Sequence, residues 1–177
     1  MGERGSSSGG NIFTPQSVSR VWNKRGVKMH PFDIKSALLA KHAQHVVLIH
    51  FPIALLIIGV LFDLISRWMN RRALEVAAYY NLLAAAISTL PALLTGVLAW
   101  QWALDGHKLK GVLLLHVVFA SVSAALIWMV AWLHVRARRA PEAPAPAYRL
   151  CIEFVAVAVV ALTGHLGGFL SGVNIPG

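Results

Sequence analysis

The sequence predicts an all-α, polytopic membrane protein: a four-transmembrane-helix bundle behind a flexible basic amino-terminal tail. Three observations carry that expectation. Of the 177 residues 57% are apolar and only 13% are charged, more apolar surface than a water-soluble domain of this length can hide. The apolar residues fall into four runs, each long enough to cross ~30 Å of hydrocarbon. The basic residues collect in the tail and in the gaps between the runs, so the net charge of +9 describes membrane flanks and not a nucleic-acid-binding stripe.

Residues 1–30 form the tail, with the Gly/Ser run Gly5 to Gly10 followed by Arg20, Lys24, Arg25 and Lys28; such a composition cannot bury a core. Residues 31–45 read as an interfacial segment, in which Asp33 caps a short helix approaching the first span. The transmembrane domain covers residues 46–173, with spans at about 46–66, 74–104, 111–134 and 150–170. The second is longer than the hydrocarbon requires, so it tilts, protrudes or kinks, with Pro91 and Gly96 the expected places. Nothing at the start has the pattern of a cleavable signal peptide, which leaves the first span to direct insertion.

Four crossings put both termini on one side, here face A, and assign to a face every histidine except His30, which lies in the tail. Face A receives His42, His45, His50, His107, His116 and His165; His134 stands alone at face B. His50, His116 and His165 each lie a turn or so inside their spans, at a common depth of roughly 6 to 8 Å. An ionisable group inside a membrane is a functional candidate by default, and neutral imidazole ligates both haem iron and free metal ions. His50, His116 and His165 are therefore the candidate set, either with two of them axial to a b-type haem or as three ligands of one metal ion. His42 and His45 precede the apolar run, where water and headgroups suit histidine, and are secondary candidates. The competing reading makes each imidazole an interfacial hydrogen-bonding group.

The remaining polar groups read as local pairs. Asp63 precedes Arg67 by four residues, Arg71 precedes Glu75 by four, and Arg149 precedes Glu153 by four, so each acid has a basic neighbour on its own helix. Trp100 and Trp102 at face A and Trp68 and Trp132 at face B read as aromatic belts. A single cysteine, Cys151, excludes an intrachain disulfide and covalent c-type haem. No HExxH or P-loop string appears, so hydrolytic chemistry has little support.

The string His42-Ala-Gln-His45-Val-Val-Leu-Ile-His50-Phe51-Pro52-Ile53 resembles the opening of an uncharacterised prokaryotic membrane family, domain of unknown function 2231. The resemblance runs on through Leu90-Pro-Ala-Leu-Leu-Thr-Gly96 and His116 to Leu166-Gly167-Gly168. It departs from the family pattern at Ala43 and Val46, where prolines commonly follow the first two histidines. The resemblance implies a four-helix membrane fold. Because members are sometimes joined to Rieske-type or cytochrome c domains, it also implies membrane redox chemistry by association.

The charges suggest an orientation. Face B holds Arg67, Arg71, Arg72, Arg136, Arg138, Arg139 and Arg149 against Lys108 and Lys110 in the face-A loop, which makes face B cytoplasmic and the histidines periplasmic in a bacterial inner membrane. The basic tail on face A argues the other way. Three functions fit: a membrane redox or electron-transfer subunit with haem b; a non-catalytic structural or assembly subunit of a larger respiratory or photosynthetic complex; and a histidine metal site. The expected partners are the lipid bilayer and other membrane or redox subunits, with no nucleic acid.

Overall fold

A computed structural model describes residues 41–103, 108–139 and 148–170 of the chain. The predicted tail, residues 31–40 of the interfacial segment, His30 and His107 lie outside the described residues. Four helices make up the described structure: α1 (Lys41–Met69), α2 (Arg72–Ala103), α3 (Gly111–Arg139) and α4 (Tyr148–Leu170). All four are long and apolar enough to cross a membrane. Such a chain meets no water in the hydrocarbon and must pair every amide within its own helix. The first helix begins at Lys41, so His42 and His45 stand on the same helix as His50.

Each helix packs on its neighbour in sequence, and α4 returns to α1, closing a four-helix bundle. The most extensive pairing is α1 with α2. The turn between them is short because Asn70 takes a left-handed conformation with φ 50°, which Asn tolerates better than most residues. Arg71 N–H then reaches back to the Ser66 carbonyl at 3.1 Å, closing α1 in the manner of a Schellman motif. The Arg71 carbonyl accepts from Leu74 and Glu75 N–H at 3.0 and 3.3 Å and opens α2.

Small residues let α1 and α2 approach closely. Ala78, Ala85, Ala86, Ala92 and Ala99 are buried on one face of α2, and on α1 Gly59 lies against Leu82. A Cβ at Gly59 would stand 2.7 Å from Leu82 Cγ. The apolar core sits between the helices at mid-span, with Leu56 and Val60 of α1, Leu82 and Ala85 of α2, Ile127 and Val130 of α3, and Ala156 and Val160 of α4. Side-chain hydrogen bonds tie the helices around it: Trp128 Nε1 donates to Thr89 Oγ1 at 3.0 Å, and Ser123 and Thr163 share a bond of 2.8 Å. Pro52 and Pro91 both sit inside continuous helices.

Most of each span faces outward. Only 11% to 33% of the residues in the spanning windows are buried within the chain, and side chains such as Phe51, Leu94, Val118 and Phe154 are exposed. In a bilayer that surface is solvated by lipid tails. At face B, Arg138 lies over Tyr79 at 4.3 Å and Arg136 over Trp132 at 5.5 Å, cation–π pairs suited to the headgroup level.

The glycine contacts yield a paired prediction for thermal unfolding in detergent. Gly59→Val should destabilise the protein by about 1–3 kcal/mol, because the added carbons enter space held by Leu82. Gly164→Ala, where an added Cβ meets nothing within 4 Å, should be neutral or stabilising by up to about 1 kcal/mol.

Candidate functional site

Two polar layers lie in the bundle, one toward each membrane face. At face A, the start of α1 meets the end of α2 through His45. Its Nδ1 lies 3.1 Å from the Ala92 carbonyl and 3.3 Å from Thr95 Oγ1. The carbonyl only accepts, so Nδ1 carries the proton and Nε2 the lone pair. Gly96 makes room for the ring: a Cβ there would stand 3.0 Å from His45 Cε1.

The start of α3 meets the end of α4 in the same way. His116 Nδ1 donates to the Thr163 carbonyl at 3.2 Å, and a Cβ on Gly167 would stand 3.3 Å from His116 Cε1. One offset (116 − 45 = 71) maps His45 onto His116, Ala92 onto Thr163 and Gly96 onto Gly167. The two hairpins are thus structural repeats that run in the same direction through the membrane, and they set the two imidazoles at equivalent levels. The core repeats with them, Leu56 on Ile127 and Ala85 on Ala156.

The other predicted candidates are placed differently. His50 is exposed and bonds its own helix, Nδ1 to the Val46 carbonyl at 2.6 Å; with Phe51, Ala54 and Leu55 it lines a shallow groove of about 300 Å³. It lies five residues beyond His45 on α1, roughly 7.5 Å deeper. His165 is exposed and meets the edge of Phe169 at a centroid distance of 5.0 Å. The structure describes the backbone of His42 as helical. Among the described residues, His50, His116 and His165 do not form a group that one ion could bridge; the group that does is elsewhere.

That group lies toward face B. Asp63 is fully buried, with Oδ2 accepting from Arg67 Nε at 2.7 Å and Oδ1 from Arg149 Nη2 at 2.5 Å. Glu153, also fully buried, meets His134 Nε2 through Oε1 at 2.8 Å, and Arg149 Nε stands 3.5 Å from the same oxygen. The α1, α3 and α4 helices each contribute to this layer. Two carboxylates and two guanidiniums balance when His134 is neutral. Asp63, His134 and Glu153 offer donor atoms within 4.8 Å of one another, but both oxygens of Asp63 already face guanidiniums, and a divalent ion would leave the layer with two uncompensated positive charges. The geometry makes it an ion network and not a cation site.

Sequence reasoning found the two i,i+4 pairs but not their union, and left His134 alone at its face. The repeat offset is the signal that was available: it carries Asp63 onto His134, so the two occupy equivalent positions of the two hairpins. Linking Asp63 to Arg149 requires knowing that α4 closes on α1.

The family model described as predicted membrane protein, DUF2231, matches residues 41–173. The chain belongs to the DUF2231 family. No curated protein and no solved structure matches it. The matched region of this DUF2231 protein holds both polar layers, from His45 near its start to Gly167 near its end.

Removing Asp63 from the face-B layer should leave the buried Arg149 uncompensated. Asp63→Asn should cost about 3–5 kcal/mol, measured by unfolding from mixed micelles with increasing sodium dodecyl sulfate. Arg67→Ala should cost at most about 1 kcal/mol, because that side chain is 28% exposed and Asp63 keeps Arg149.

Proposed function

We propose that this DUF2231 protein is a membrane redox subunit whose two hairpins bind a b-type haem between them at face A. The observation that carries the reading is the repeated His–carbonyl–Gly device. A metal-binding imidazole typically donates its second ring nitrogen to a carbonyl or carboxylate, which fixes the ring and directs the lone pair at the metal. His45 and His116 both have their Nδ1–H bonded to the backbone of the partner helix, which gives Nε2 the lone pair in each. Two equivalent imidazoles from two equivalent hairpins would hold one haem between them.

The face-A end of the bundle also supports a site. The described residues that are fully buried gather at mid-span and toward face B, whereas His45 and His116 are partly buried in a thinner layer lined by Thr95, Gly96 and Gly167. The haem would supply one-electron transfer; His45 and His116 would hold it, and the carbonyls of Ala92 and Thr163 would fix the rings. His50 and His165 remain candidates from the sequence, and their exposed positions favour contacts with lipid or a neighbouring subunit. The excess of arginine at face B supports a cytoplasmic face B in a bacterial inner membrane, which would open the haem layer to periplasmic partners.

A structural or assembly role is the second reading, and the broad outward-facing apolar surface favours it, since partner helices can cover what lipid otherwise does. The discriminating measurement is a reduced-minus-oxidised optical spectrum with pyridine haemochrome analysis of the full-length protein, purified gently in detergent. A stoichiometric b-type signal should appear, vanish in both His45→Ala and His116→Ala, and persist in His50→Ala and His165→Ala. A colourless, haem-free protein that stays intact with its native membrane partners would support the assembly role instead.

A further inference from the structure

Three buried polar atoms of the face-B layer lack a hydrogen bond, Arg67 Nη2, Arg149 Nε and Glu153 Oε2, and of these only Oε2 can bind a proton. Glu153 is fully buried, and its Oε1 is held by His134 Nε2 at 2.8 Å. Its Oε2 is buried and accepts no hydrogen bond, while Arg149 Nε beside it also lacks a hydrogen-bonded partner. A carboxylate oxygen carrying negative charge in such surroundings is costly. Binding a proton removes that charge from the oxygen.

Packing by itself does not call for an acid at this position. The repeat offset carries Leu82 onto Glu153 and Ala78 onto Arg149, and Leu82 and Ala78 are buried as completely as Glu153. One hairpin therefore closes the same level of the bundle with apolar side chains that the other closes with a carboxylate and a guanidinium. The charged version has chemistry that the apolar version lacks.

We propose that Glu153 is a proton-binding site, with Oε2 taking up one proton from the aqueous side of face B while Oε1 stays bonded to His134. An O–H bond forms at Oε2 as an O–H bond of a hydronium ion at face B breaks and water is released, and the layer gains one positive charge. The groups facing it are Asp63 and Arg67 from α1, His134 from α3, and Arg149 from its own helix; among the described residues α2 contributes no charged side chain to the network. Arg67, near the face-B end of α1 and with its side chain 28% exposed, is the most accessible member of the network. Asp63 is the poorer acceptor because both of its oxygens already receive N–H donors. The assignment does not depend on the haem at the opposite face.

The test is a pH titration followed by infrared spectroscopy on the full-length protein in liposomes. A carbonyl band from a water-shielded, protonated carboxyl should rise as the pH falls, move when all glutamates carry carbon-13, and be lost in Glu153→Gln. His134→Ala should shift its midpoint by about one pH unit, since the imidazole is the neighbour hydrogen-bonded to the carboxylate. The isotope shift identifies the band as glutamate in unaltered protein, should Glu153→Gln fail to fold. The absence of any glutamate band over the pH range in which the helices persist would overturn the proposal, as would a band untouched by Glu153→Gln. Stoichiometric zinc uptake abolished by Glu153→Gln would also overturn it, in favour of a cation.

Discussion

Lipid tails are as apolar as leucine, so burying a leucine between two helices of this protein gains little over leaving it in the bilayer. The association of α1 to α4 must instead come from close packing and from polar contacts that the hydrocarbon cannot replace. Both are concentrated where the helices meet. The alanine face of α2, together with Gly59 opposite Leu82, brings two backbones close enough for dispersion to act over a long seam. The bonds of His45, Trp128, Ser123, His116 and Arg149 cross between helices, and each would leave a polar group stranded if the helices separated.

The same constraint explains how the two polar layers differ. Toward face B the charges are deeply buried and mutually neutralised, because an isolated carboxylate or guanidinium at that depth is prohibitively costly and each of Asp63 and Arg149 requires the other. The layer locks α1 to α4 and closes the bundle. Toward face A the polar groups are imidazoles, and His45 and His116 remain partly exposed there.

The duplication of the hairpin gives these layers a common origin in the architecture. At face A the repeats agree, so His45 and His116 form a matched pair with Gly96 and Gly167 behind them. At face B they diverge: Asp63 faces its equivalent His134, and α4 carries Glu153 and Arg149 where α2 carries Leu82 and Ala78.

Hydropathy, span length and the spacing of Arg and Trp were enough to determine a four-helix membrane bundle, because a segment in hydrocarbon has no alternative to a helix of that length. The string from His42 to Ile53 was enough to suggest the family. Which histidines belong together was not legible in this way. Depth counted along a helix takes no account of azimuth, so His50 looked equivalent to His116, although its ring turns back on its own helix and the repeat offset carries His45 onto His116. The local pairs Asp63–Arg67 and Arg149–Glu153 were visible at i,i+4, but their fusion through His134 depends on α4 packing against α1 and α3. Only the tertiary structure decided that, since a bundle's closure is set by side-chain fit between helices far apart in sequence.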